Sequence, residues 1–152
     1  MDERLDIPQT VAEENYVKFQ HELLEFLFAH LVDMRAIFEG DLDALLIFIS
    51  ISRYYLRDER ISAGAEDGPQ PHHPHHPLTL SRISLITTIP RETARRKLSM
   101  LESRGLLERA PDDGWRLTVV DARPVIRSRY EAVWQRVIRR LVKLVRALRE
   151  HV

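Results

Sequence analysis

The chain contains no cysteine, so disulfides, thiolate metal sites and cysteine nucleophiles are excluded. That absence fits a reducing interior. Long hydrophobic runs are missing as well. The longest uncharged apolar stretch, Ala44–Ser52, falls well short of the ~20 residues a helix needs to span a bilayer, so no membrane partner is expected. The first residues, Met-Asp-Glu-Arg-Leu-Asp, are polar and acidic, unlike a secretory leader. There is no glycine-rich phosphate loop, no His-Glu-x-x-His and no nucleophile elbow, and the neighbouring acids Asp112 and Asp113 suit a turn. Neither an enzyme nor a cofactor is therefore expected.

Net charge is also lacking, with 23 Lys and Arg against 23 Asp and Glu over 152 residues. The balance hides a division. Residues 1–77 carry 6 basic and 15 acidic side chains, a net −9, whereas residues 78–152 carry 17 and 8, a net +9. One half is thus suited to a polyanion and the other to something else. At 44% apolar and 30% charged residues the chain has the composition of a globular protein rather than a disordered one.

Thr10–Phe38 has neither proline nor glycine, and Tyr16, Phe19, Leu23, Phe26, Leu27, Leu31, Met34 and Phe38 recur at spacings of three and four. The pattern predicts an amphipathic helix of about 40 Å at ~1.5 Å per residue. Gly40 ends it and Asp41 can cap the next. Leu42–Leu56 is apolar on nearly all sides and predicts a buried helix. Ser62–Pro77 holds two of the five glycines and four of the eight prolines, which makes it a linker. Thr79 can cap a short helix over Leu80–Ile86 that buries Leu80, Ile83 and Ile86. A second helix runs from about Pro90 to Arg104, with proline in its first turn and Gly105 at its C-terminal cap. Leu106–Val120 predicts a hairpin turning at Pro-Asp-Asp-Gly, with Trp115, Leu117 and Val119 alternating along its second strand. A last helix opens at Asp121 or Ala122, takes Pro124 into its first turn and continues for about 28 residues.

The Pro90–Arg104 helix has two faces. Ala94, Leu98 and Leu101 point to a core, while Arg91, Glu92, Arg95, Arg96 and Ser99 lie opposite. Arginine can pair bidentately with guanine O6 and N7, and glutamate can accept from cytosine N4, so this strip has the chemistry that reads base edges. Arg82, Thr87, Thr88, Lys97, Arg104, Arg109 and Arg116 are candidates for phosphate contact, which supplies affinity and salt dependence rather than sequence choice. Two short helices followed by a two-stranded hairpin make a winged helix-turn-helix.

Leu78–Leu107 resembles the DNA-binding domain of the cAMP-receptor-protein/FNR superfamily, whose pattern reads Thr, a short helix, then Arg-Glu-Thr-Val-x-Arg-x-Leu-x-x-Leu-Glu-x-x-Gly-Leu/Ile. The chain matches it at Thr79, Arg91, Glu92, Thr93, Arg96, Leu98, Leu101, Glu102, Gly105 and Leu106. The resemblance implies that Arg91, Glu92 and Arg96 read bases. The sequence departs from the family at Thr88, where the family has glycine, at Pro90, where it has a Ser or Thr cap, and at Ala94, where it has valine. The family's cyclic-nucleotide barrel is absent. The layout, with helices before the helix pair and a long helix after it, is similar to MarR-type regulators, a resemblance resting on architecture alone.

The final helix carries Tyr130, Trp134, Val137, Ile138, Leu141, Val145 and Leu148 on a wide apolar face suited to a second copy of the chain. Arg136, Arg139, Arg140, Lys143, Arg146 and Arg149 could then pair with the acidic first helix of that copy. His72, His73, His75 and His76 invite a metal, with His21 or His30 as distant help, but a solvated, proline-stiffened linker is the favoured reading and no metal is expected. The expected fold is mainly α, a winged helix-turn-helix with long N- and C-terminal helices forming a dimerisation region. Its parts are a helical dimerisation or regulatory region at 1–61, the linker at 62–77, the DNA-binding domain at 78–120 and a dimerisation helix at 121–152. The expected function is that of a bacterial-type, cytoplasmic, nucleoid-associated regulator that binds double-stranded DNA as a homodimer on a palindrome. The alternatives are a protein-interaction adaptor on the same scaffold and a repressor responsive to a metal or to an unidentified effector.

Overall fold

The computed structural model describes residues 15–63 and 77–149, and of Arg60, Ile61, Ser62, Ala63 and Leu148 the backbone alone. Six helices and two small antiparallel sheets occupy those residues: α1 Tyr16–Ile37, α2 Leu42–Ala63, β1 Leu78–Thr79, α3 Leu80–Thr87, α4 Arg91–Ser103, β2 Leu107–Arg109, β3 Gly114–Leu117, β4 Val119–Val120, β5 Arg123–Pro124, α5 Val125–Arg129 and α6 Glu131–Arg149. The protein is mainly helical. None of the described helices is long and apolar enough to cross a membrane. Two compact units form, one from residues 38–129 and one from the chain's two ends, up to Ile37 and from Tyr130.

In the unit spanning Phe38–Arg129, Asp41 caps α2 by accepting from the Ala44 amide at 3.0 Å, as its position after Gly40 predicts. Helix α2 buries Ala44, Leu45, Ile47, Phe48, Ile51 and Tyr55 against α3, α4 and β3. The expected all-round burial is not met, because Leu42, Leu46, Ile49 and Leu56 are exposed. Helix α2 falls in a different compact unit from α1. Its apolar side is the wall on which α3, α4 and the sheet pack. Helix α2 also continues to Ala63, past the expected start of the linker at Ser62.

Thr79 caps α3, its hydroxyl accepting from the Arg82 amide at 3.3 Å. Of the three apolar residues assigned to that helix's core only Ile83 is buried, and Ile89 in the following turn takes the place expected for Ile86. Helix α4 buries Ala94, Leu98 and Leu101 to 0% exposure, as the sequence predicts. It begins one residue later than expected, with Pro90 as its N-cap rather than in its first turn. At its other end Gly105 takes φ 66. The Gly105 amide donates to Glu102 O at 2.8 Å and the Leu106 amide to Leu101 O at 3.0 Å, the paired bonds of a Schellman cap.

Strand β3 is central in a three-stranded sheet of order β1-β3-β2. Leu78 pairs with Trp115, and Leu107, Glu108 and Arg109 pair with Leu117, Arg116 and Trp115. The expected hairpin forms, but it turns over Ala110–Asp113, one residue earlier than the expected Pro-Asp-Asp-Gly, with Gly114 already in β3, and β1 has no counterpart in the sequence reading. Gly114 is needed where β1 meets β3, since a Cβ there would lie 2.4 Å from Pro77 Cβ. The alternation through Trp115 and Leu117 stops short of Val119, which joins a second hairpin, β4–β5, and is exposed. Asp121 and Ala122, with φ of 50 and 59, form its two-residue turn. Pro124 thus lies in a strand, not in the first turn of a helix. The expected 28-residue helix is divided at Tyr130 into α5 and α6.

The second unit is the pair α1 and α6, which run antiparallel. Asp33 meets Arg136 and Arg140, while Glu22, Glu25, Phe26 and Ala29 share a cavity with Arg140, Lys143 and Leu144. The Asp33 carboxyl is taken by Arg136 at 2.9 Å and Arg140 at 2.5 Å. Burial works to raise its pKa, but the two guanidiniums outweigh that and hold it below the usual aspartate range. The pairing expected between copies therefore exists, for these two arginines, within one chain. Leu24, Leu27, Phe28 and Leu31 on α1, and Ile138, Leu141, Val142 and Val145 on α6, are exposed, each set at i, i+3, i+4, i+7.

Candidate nucleic-acid interface

A cationic strip is built on α4 by two constraints. Ala94, Leu98 and Leu101 fix which side faces the core, and the 3.6-residue turn then sends Arg91, Glu92, Arg95, Arg96 and Ser99 to the opposite side. All five are exposed. Three residues, Thr88, Ile89 and Pro90, join α3 to α4. Thr88 caps α3 in the left-handed conformation with φ 59, and buried Ile89 secures the turn. The Ser84 hydroxyl donates to Ile89 O at 2.7 Å and ties the turn back to α3.

The strip is not uniform. Glu92 and Arg95 are joined by two hydrogen bonds, Arg95 Nε to Glu92 Oε2 at 3.0 Å and Arg95 Nη2 to Glu92 Oε1 at 2.6 Å. The Arg95 bond holds the Glu92 carboxyl below its usual range and, reciprocally, raises Arg95. Arg91 and Arg96 form no ion pair among the described residues. These two arginines lie five positions apart, with the clamped pair between them.

Most of the residues expected to contact phosphate already have partners within this unit. The Lys97 ammonium lies 2.5 Å from Asp41 Oδ2, half-buried, and joins α4 to the cap of α2. Arg109 pairs with Asp113 at 3.0 Å and lies over the Trp115 ring at 4.6 Å. Arg116 pairs with Glu108 across the hairpin at 2.7 Å. Arg104 ends α4 and lies 5.9 Å over Phe38. The Thr87 hydroxyl donates to Ile83 O and the Thr88 hydroxyl to Thr87 O, each at 2.7 Å. Only the Arg82 side chain, exposed on α3, has no such partner among the described residues. Lys97 differs most from its neighbours. Spacing alone puts it at the edge of the basic strip, but Asp41, the cap of α2 and 56 positions away in sequence, pairs with it.

The residues assigned to a dimer face are divided between interior and surface. Val137 is buried and Trp134 half-buried within the α1–α6 unit, whereas Ile138, Leu141 and Val145 are exposed. Tyr130 lies at the start of α6, and the side chain of Leu148 is outside the described residues. Val142, Leu24 and Phe28 lie outside the apolar stripes read from the sequence, whereas Leu27 and Leu31 belong to the α1 stripe expected to be buried and are exposed instead.

The His72, His73, His75 and His76 cluster lies outside the described residues. Among the described residues no group of three metal-ligating side chains comes together. His30 stacks on Phe26 at 5.8 Å, and burial lowers its pKa. No family model matches the chain, and neither a curated protein nor a solved structure is found to be similar to it.

Proposed function

We propose that the chain is a sequence-specific DNA-binding transcription regulator, a winged helix-turn-helix protein that acts at the nucleoid as a homodimer on a palindromic site. One observation carries this reading: Arg91, Arg95, Arg96, Glu92 and Ser99 are exposed on a single face of α4, opposite three side chains that are wholly buried. A helix held by one side and cationic on the other has the form that enters a major groove. Helix α3 and the Thr88–Pro90 turn are then the first half of the helix-turn-helix. The β2–β3 hairpin is the wing, its two arginines balanced by Asp113 and Glu108. Phosphate contact falls chiefly to Arg82, Arg91 and Arg96.

A second copy of the chain is supported by the exposed apolar strips on α1 and α6. The eight side chains of these strips each leave 39–71% of their surface exposed. At ~80 Å² each this is on the order of 600 Å², at the upper end of the ~300–600 Å² patch of an ordinary monomer and most of the ~800 Å² each partner of a stable dimer buries.

Selection of bound duplexes from a random library tests the reading, followed by affinity measurements at rising salt. The expected site is a palindrome with half-sites about one helical turn apart. Affinity should fall linearly in log–log form with salt, and Arg96→Ala should remove about 1–3 kcal/mol of preference at one base pair in each half. A protein that selects no sequence, or whose affinity ignores salt, does not have this function.

A further inference from the structure

The reading strip holds one paired and two unpaired arginines, and the pairing alters the role of the glutamate. We propose that Glu92 is a positioning residue rather than a base reader: it holds Arg95 side-on so that the guanidinium's free end recognises a guanine. This rests on the DNA-binding reading above.

The argument starts from a count of donors. Arginine has five N–H groups in a rigid planar fork. Glu92 takes one from Nε and one from Nη2, along one side of the plane. Both hydrogens on Nη1 and the second on Nη2 remain, and one from each of these nitrogens forms the end-on fork that matches guanine O6 and N7. The clamp therefore leaves the recognising edge intact and fixes the plane in which it lies. A long side chain that is 54% exposed would otherwise be distributed over many rotamers, and ordering it on DNA would cost affinity.

Direct reading by Glu92 meets the opposite difficulty. To turn wholly toward a cytosine amine, the carboxylate would have to leave two charge-assisted bonds and release Arg95. Exposed to water, that pair is weak. At a groove floor water is excluded, and the pairing strengthens as the surrounding dielectric falls. Glu92 is also in the first turn of α4, where a carboxylate is favoured by the helix dipole, so it is stably placed to hold a cation one turn on. Arg95 thereby becomes a principal reader, although the sequence resemblance assigns that role to Arg91, Glu92 and Arg96 and leaves the Arg95 position unspecified.

The test uses the full chain and the site selected by the wild type, measuring affinity for that site and for each single base-pair change in it. Glu92→Ala and Arg95→Ala should lose selectivity, about tenfold, at the same guanine-containing pair, and the double variant should lose no more than either alone. Glu92→Asp should recover part of the selectivity. In the free protein, the Glu92 carboxyl followed by NMR should titrate higher, nearer its ordinary value, once Arg95→Ala removes the largest cause of its lowering. If Glu92→Ala relaxes a base pair at which Arg95→Ala remains selective, Glu92 reads directly and the inference is overturned. It is equally overturned if Arg95→Ala leaves every preference intact. A wild type that selects no site overturns the DNA reading itself, which is a different result from either.

Discussion

The Lys97 ammonium on α4 lies 2.5 Å from the Asp41 carboxylate that caps α2, so one aspartate both starts a helix and anchors the helix proposed to read DNA. Burial works to raise the Asp41 pKa, but the Lys97 bond and the amides of Ala44 and Asp43 outweigh it and hold the carboxyl below its usual value. A carboxyl depressed in the folded state stabilises the fold fully above its unfolded pKa of about 4 and loses that contribution as pH falls through the lower folded value. Asp41→Asn, which keeps a cap acceptor but not the charge, should therefore flatten the pH dependence of stability below about pH 4 relative to the wild type. Asp41→Ala should cost about 1–3 kcal/mol at pH 7, from the lost cap and from a half-buried cation left unpaired. Urea unfolding at neutral and acid pH measures both. Equal acid sensitivity in the wild type and Asp41→Asn would show that the pair does not contribute.

The α4 faces were legible because Ala94, Leu98 and Leu101 repeat at helical spacing and nothing within the helix competes with them. The caps at Asp41, Thr79 and Gly105 were legible for the same local reason. What could not be read were relations between distant residues. Lys97 looks like its neighbours Arg95 and Arg96 until Asp41 is placed beside it. Strand β1 is two residues long, and it exists because β3 offers an unpaired edge at Trp115 and Gly114. The β4–β5 hairpin turns on Asp121 and Ala122, and an alanine with positive φ carries no sequence signal. That hairpin also displaced the start of the last helix. Helix α2 looked buried all round because the sequence gives its composition but not its neighbours.

Thr88 illustrates a departure that the structure makes testable. It occupies the position where the resembling family has glycine, and it adopts glycine's conformation, with φ 59. For a β-branched residue that geometry costs roughly 1–2 kcal/mol, partly offset in any replacement by the greater freedom of glycine in the unfolded chain. Thr88→Gly should therefore stabilise the unit by about 0.5–1 kcal/mol, seen as a rise in melting temperature. The lost hydroxyl bond to Thr87 O is local and exposed, and its removal is a small opposing effect. Thr88→Val keeps the branch without the hydroxyl and should give no such rise. A melting temperature unchanged or lowered in Thr88→Gly would mean that the turn stores no strain at this residue.

The exposed strips on α1 and α6 lead to the last prediction. Leu24, Leu27, Phe28 and Leu31, with Ile138, Leu141, Val142 and Val145, present two ridges of the spacing by which helices pack in bundles. A second copy supplies the same two ridges, so covering them gives a four-helix arrangement related by a two-fold axis. Because such an interface contains every residue twice, Leu141→Glu removes its burial in both copies. At about 1 kcal/mol per half-covered side chain that is at least ~2 kcal/mol, or roughly a 30-fold weaker dimer, with the desolvation of two carboxylates in addition. Sedimentation at micromolar concentration should find the wild type at the mass of two chains and Leu141→Glu with Val145→Glu at the mass of one. Helix content should be unchanged, since both side chains already face outward. The monomeric variant should bind a single half-site as the wild type does but lose the gain from a palindrome. A wild type that sediments as one chain removes the homodimer from the proposed function and leaves α4 to read one half-site alone.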